Sequence, residues 1–237
     1  MTVENKVIVI AGATGDLGSV VTEKFSQAGA RLVLLGRTIE KLQRLADELK
    51  LPEETLLHPM DVNDPDSAIA ASVIVKEKFG AADAYLHLVG GWLGGKPLVE
   101  VSKQDMENML QQHLWSTFHM TKAFIPGMLA QSWGRIVVIS SPNAHRPKGN
   151  SSAYAVGKAA EEALILSLSE EVKNTGVTAN IVVVNTIDTK HERDITPTKK
   201  NAYWTTPEEI SATLLHLCSE EAKMINGARI PHYGRSL

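Results

Sequence analysis

The 237-residue sequence predicts an α/β fold: one domain over residues 1–237, built as a doubly wound parallel sheet of about seven strands with helices on both faces. Three observations predict it. Short apolar runs rich in β-branched residues alternate with segments of helical periodicity from end to end. A glycine-rich turn, Gly12 to Gly18, joins the first run to the first helical segment. No repeat, low-complexity tract or linker divides the chain.

The elements follow in order. Lys6 to Ala11 is an apolar run that ends in glycine, and Ser19 to Ala28 then has helical spacing until Gly29 stops it. Arg31 to Leu35 is the second strand, and Thr38 is placed to cap a leucine-spaced helix through Leu49. Thr55 to His58 is the third strand. Asp64-Pro65 combines an N-cap with a proline at the first helical position and leads a helix toward Phe79. After a strand from Ala84 to Val89, Ser102-Lys103-Gln104-Asp105 opens a long helix through Met120, which Pro126 is expected to bend or restart. Arg135 to Ser140 is the fifth strand. A helix from about Ser152 to Asn174 ends before Gly176, and Val177 to Val184 is the sixth strand. Thr206-Pro207-Glu208-Glu209 begins the last helix, and Ala228 to His232 closes the sheet. Seven strands thus alternate with six helices. Ligands of such a sheet bind outside the carboxyl ends of its strands, where Gly12 to Gly18, the Gly90 region, Ser141 and Asn185 to Thr189 all fall.

Composition narrows the function. A net charge of −3, with Lys and Arg spread along the chain, provides no basic field for nucleic acid. Met1 to Asn5 lacks a basic leader, and the apolar run after it breaks at Gly12, so neither a signal sequence nor a membrane span is expected and the cytoplasm is the expected compartment. Cys218 is the only cysteine, which excludes an internal disulfide and reads as a small core residue. The eight histidines form no ligand-spaced cluster, so no metal site is expected.

One constellation carries chemistry. Tyr154 and Lys158 stand four residues apart and share a helix face, and Ser141 lies thirteen residues before the tyrosine. A free phenol titrates near pH ~10, and a fixed ammonium nearby favours phenolate, which suits a proton donor or acceptor at neutral pH. Ser141 is placed to hold a substrate oxygen.

A serine, then Tyr-x-x-x-Lys, after an N-terminal glycine turn resembles the short-chain dehydrogenase/reductase family over nearly the whole chain. The resemblance implies a Rossmann-type sheet in the order 3-2-1-4-5-6-7. It also implies hydride transfer between a nicotinamide and a small carbonyl or alcohol, with Tyr154 as acid/base, Lys158 on the nicotinamide ribose and Ser141 on the reacting oxygen. Family members often pair their long helices and final strands, so a homo-oligomer, dimer or tetramer, is expected.

At the cofactor end, Gly12, Thr14, Gly15, Asp16, Leu17 and Gly18 form a strand-to-helix turn whose amides can face a pyrophosphate. The family's usual middle glycine corresponds to Asp16; here Gly15 takes its place. After the second strand, Arg37 and Thr38 stand where an acidic residue would bind a ribose hydroxyl, which favours a 2′-phosphate and hence NADP(H), with NAD(H) the alternative. Asp61 and Val62 resemble the adenine-contacting pair, and Gly90, Ile187 and Thr189 match later cofactor contacts.

The chain also departs from the family. His87-Leu88-Val89-Gly90 replaces Asn-Asn-Ala-Gly, and the asparagine of the proton relay falls at His113. His113 is either a relay through its imidazole or a packed polar residue. Residues 191–206 lie where the family closes a lid over substrate. Gly90-Gly91-Trp92-Leu93-Gly94-Gly95 resembles a loop of the dihydropteridine reductase branch, which suggests a planar substrate near Trp92; the other reading of Trp92 is a hydrophobic lip. A nucleotide-sensing protein with weak turnover is the remaining alternative.

Overall fold

The computed structural model describes residues 3–233. The strands are β1 (Val7–Ala11), β2 (Arg31–Gly36), β3 (Leu56–Pro59), β4 (Ala84–His87), β5 (Gly134–Ser140), β6 (Val177–Val184) and β7 (Arg229–His232). They form one seven-stranded sheet in the order β3-β2-β1-β4-β5-β6-β7, all pairs parallel. β1 pairs with β2 on one side and with β4 on the other, where Ala11 lies opposite His87. The winding reverses between these strands, so their carboxyl ends open a crevice there.

The helices are α1 (Asp16–Gln27), α2 (Ile39–Glu48), α3 (Pro65–Phe79), α4 (Lys103–Leu110), α5 (Ser116–Ala130), α6 (Ser152–Glu171), the short α7 (Glu192–Ile195) and α8 (Pro207–Leu217). Successive strand residues point to opposite faces, and both faces are covered. Ile8 and Ile10 pack with Val21, Phe25, Ile210 and Leu214 of α1 and α8; Val7 and Val9 pack with Val75, Met120, Phe124 and Ile165 of α3, α5 and α6. Cys218 is fully buried in the first layer, where burial pushes its thiol up to about 12. No helix among the described residues is long and apolar enough to cross a membrane.

The helix starts follow local chemistry. Asp64 accepts from the Asp66 N–H with Pro65 at the first helical position, and Ser102/Asp105 and Thr206/Glu209 each form a reciprocal capping box. Thr38 occupies the N-cap of α2, but its side chain makes no capping bond. Gly176 has φ +84, and a Cβ there would lie 1.9 Å from the Ser132 carbonyl oxygen, so only glycine fits the stop before β6.

Two expectations need correction. Pro126 lies inside α5, which runs on to Ala130 without restarting, because the missing N–H removes a single bond and Met120, Phe124 and Met128 hold the helix to the sheet. The long helix is instead interrupted earlier, by a π-helical turn at Gln111–Trp115, where the Ser116 N–H bonds to the Gln111 carbonyl. β4 also ends at His87 rather than Val89, since the chain turns away to pass over Gly12.

Candidate active site

The turn after β1 is built by two glycines with different duties. Gly12 has φ +85, and a Cβ there would press on the Leu88 backbone at 3.1 Å. Gly18 has no such dihedral demand, but its Cβ would lie 2.1 Å from the Gly12 carbonyl oxygen, so α1 can approach β1 only with glycine at this position. The Leu17 side chain is buried in the core beneath the turn, and the exposed Asp16 opens α1. Thr14 and Gly15 border a cavity of about 440 Å³ together with Gly12, Arg37, Asp61, Val62 and Gly90. The Asp61 carboxylate bonds the Asn63 N–H at 2.9 Å.

Lys41 lines the same cavity as Arg37. Sequence reasoning missed it, although one helical turn separates it from Arg37 and that spacing is a readable signal. With the Thr38 hydroxyl free of capping duty, two cations and a hydroxyl stand at the carboxyl end of β2. These groups fit a 2′-phosphate.

Ser141 and Tyr154 line a second cavity, of about 580 Å³, with Trp92, Asn143, Asn185 and Trp204. Ser141 follows β5 and is buried; its Oγ accepts from both the backbone N–H and the Nδ2 of Asn143, at 3.3 Å each, so its own proton is free to donate. Asn143 was not foreseen. Trp92 is 66% exposed and lies across Gly94, where a Cβ would meet the ring at 2.4 Å.

Lys158 lies one turn beyond Tyr154 on α6 and is buried, donating to the Ile139 carbonyl and to Glu161 Oε2, both at 2.7 Å. Glu161 is fully buried and also accepts from Thr117 at 3.0 Å. Burial raises its carboxyl above the usual carboxylate range, against the pull of Lys158 and Thr117. Sequence reasoning missed this partner as well, though i and i+3 share a helix face.

His113 sits in the π-helical turn, fully buried, with Nε2 donating to the Gly91 carbonyl at 3.1 Å and its ring edge-on to Tyr154 at 5.5 Å. Nδ1 is buried without a partner among the described residues. It faces Gly90, where a Cβ would lie 3.5 Å from Nδ1 and 3.8 Å from Lys158 Nζ. Burial first, then the Lys158 charge, brings His113 down to about 3. His87, buried below, is likewise brought down to about 3 by burial and then Lys158. The Tyr85 hydroxyl donates to its Nδ1 at 2.5 Å, Nε2 donates to Ser116 at 3.2 Å, and Ser116 donates on to the Gln112 carbonyl. Both imidazoles are therefore neutral.

Residues 191–206 cross the mouth of the second cavity through Lys200 and Trp204. Asp188 accepts from the first N–H groups of α7, and Arg193 grips Glu209 of α8 through two bonds of 2.9 and 3.0 Å. Ile187 bridges to Thr205 using the N–H groups of Asp188 and Thr205, and its own N–H takes no part. Thr189 is exposed beyond them.

The short chain dehydrogenase family model matches residues 6–200. An uncharacterized oxidoreductase of Staphylococcus epidermidis is 29% identical over 187 residues, 79% of this chain and 80% of that protein. One of Staphylococcus aureus is 27% identical over 216 residues, covering 91% and 92%. A short chain dehydrogenase from Bacillus anthracis superposes with a TM-score of 0.86 at 27% identity, covering 97% of this chain and 95% of the other. L-sorbose reductase from Gluconobacter frateurii, complexed with NADPH and L-sorbose, gives 0.86 at 23% identity and covers 100% and 99%. A match across most of the sheet, strand by strand, leaves one assignment: the chain is an enzyme of the short-chain dehydrogenase family.

Proposed function

We propose that this oxidoreductase uses NADP(H) and acts on a small carbonyl or alcohol, with Tyr154 as the general acid/base. The observation that carries the reading is that Ser141 and Tyr154 line one cavity while Lys158 stands a helical turn behind the phenol. When bound, the nicotinamide supplies or accepts the hydride. Ser141 donates to the substrate oxygen and fixes its direction; Tyr154 gives that oxygen its proton during reduction and takes it back during oxidation. Lys158 directs its remaining proton toward the ribose. His113, neutral and edge-on to Tyr154, keeps a lone pair at Nδ1 for a relay from that side. Arg37, Thr38 and Lys41 favour the 2′-phosphate, in agreement with the NADPH held by the sorbose reductase of the same fold. Trp92 and Trp204 on one cavity favour a flat substrate, which keeps a pteridine-like ring as the second reading.

The test runs ketones, aldehydes and quinonoid pteridines with NADPH and NADH in parallel. Tyr154→Phe should lose about 10²- to 10⁴-fold in turnover and retain NADPH affinity. Arg37→Ala with Lys41→Ala should weaken NADPH at least about tenfold and leave NADH unchanged. Full turnover by Tyr154→Phe would overturn the mechanism.

A further inference from the structure

The cavity shared by Ser141 and Tyr154 carries positive charge with no counter-charge in its wall. Lys148 and Lys200 line it, and no Asp, Glu or Arg does. This contrasts with the chain as a whole, which is net acidic and pairs Lys6, Lys96, Lys103, Lys158, Lys173 and Lys223 with carboxylates. Among the described residues neither Lys148 nor Lys200 has such a partner.

Both lysines are fixed at the backbone while their ammonium groups remain free. The Lys148 N–H donates to Asn143 Oδ1 at 3.1 Å, the same amide whose Nδ2 bonds Ser141, so Lys148 is tied through one side chain to the oxygen that would orient the substrate. Lys200 directly precedes Asn201, which is buried and bonded to the Glu192 and Thr196 carbonyls and to Thr198. Two unpaired cations in a cleft bounded by tryptophan walls focus a positive field on whatever enters.

We propose that the substrate is a flat carbonyl compound bearing a carboxylate, with its carbonyl at Ser141 and Tyr154 and its carboxylate received by Lys148 and Lys200. The proposal rests on the acid/base role assigned to Tyr154, which sets where the carbonyl lies. A lysine meets an anion as a point charge, and the absence of arginine leaves no planar fork for a phosphate, so a singly charged carboxylate is the better match. The tryptophan faces suit an unsaturated or aromatic frame between the two ends.

The test compares para-carboxybenzaldehyde with its methyl ester, which differ in charge and share a carbonyl, using the full-length enzyme and NADPH. The acid should show kcat/KM about tenfold above the ester, the size of one charge-assisted hydrogen bond, and the advantage should shrink at high salt. Lys148→Gln combined with Lys200→Gln should bring the ratio to about one. An ester as good as the acid, or a preference that survives in the double variant, overturns the proposal. Calorimetric binding of both compounds to the NADPH complex separates this outcome from failure of the acid/base reading. Tighter binding of the acid, abolished in the double variant, supports the anion site even without turnover; equal binding overturns it.

Discussion

Glu161 is the residue whose placement most changes the chemistry expected around Lys158. A buried ammonium 2.7 Å from a fully buried carboxylate is a compensated charge, so its field on neighbouring groups is weaker than that of a lone lysine. The groups that face the pair are Tyr85 and His87 on β4, Thr117 on α5, His113 in the π-helical turn, and Tyr154 and Glu162 on α6. Glu161→Gln keeps the shape and a hydrogen bond while removing the compensating charge. The acid limb of the pH profile of kcat/KM for alcohol oxidation should then move to lower pH by about one unit, the scale of a neighbouring charge. A profile that stays in place, in a variant of unchanged melting temperature, would confine Glu161 to packing.

At the scale of elements, what was legible had local side-chain causes. Asp64-Pro65, Ser102 with Asp105, and Thr206 with Glu209 announce helix starts because each cap bonds to residues two or three away. The π-helical turn left no such mark, since inserting one residue into a helical ladder is decided by what the helix packs against. The serine, tyrosine and lysine of the site were readable from order and spacing alone. Lys41, Asn143 and Glu161 were not singled out, because a charged or amide side chain on a helix or loop says nothing about burial until the sheet brings its neighbour. Pro126 shows tertiary packing overriding propensity. An interior proline costs a helix about 3 kcal/mol, and the stiffness it gives the unfolded chain returns up to about 1 kcal/mol. Pro126→Ala should therefore stabilise the protein by about 2 kcal/mol in equilibrium denaturant unfolding, and a destabilised variant would show that the ring's own contacts hold the helix in place.

For the molecule as a whole, the two buried imidazoles govern stability against acid. His87 and His113 are at about 3 in the folded protein against an ordinary value of 6.5. Below about pH 6.5 the unfolded chain binds protons that the folded one refuses, so their contribution is complete above that pH and is lost as pH falls toward 3. Glu161, raised by burial, works in the opposite sense and is relieved at low pH. The melting temperature should fall as pH drops from 6.5, and His113→Asn, which keeps an amide donor for Gly91, should flatten that slope; an unaltered slope would place the loss on other groups. The apolar layer under α1 and α8 offers a way to watch such openings directly. Its lone sulfur, at Cys218, has no solvent contact and resists ionisation, so alkylating reagents can reach it only when that layer parts. With no second thiol in the chain to blur the signal, the alkylation rate becomes a clock for how often one half of the interior comes undone.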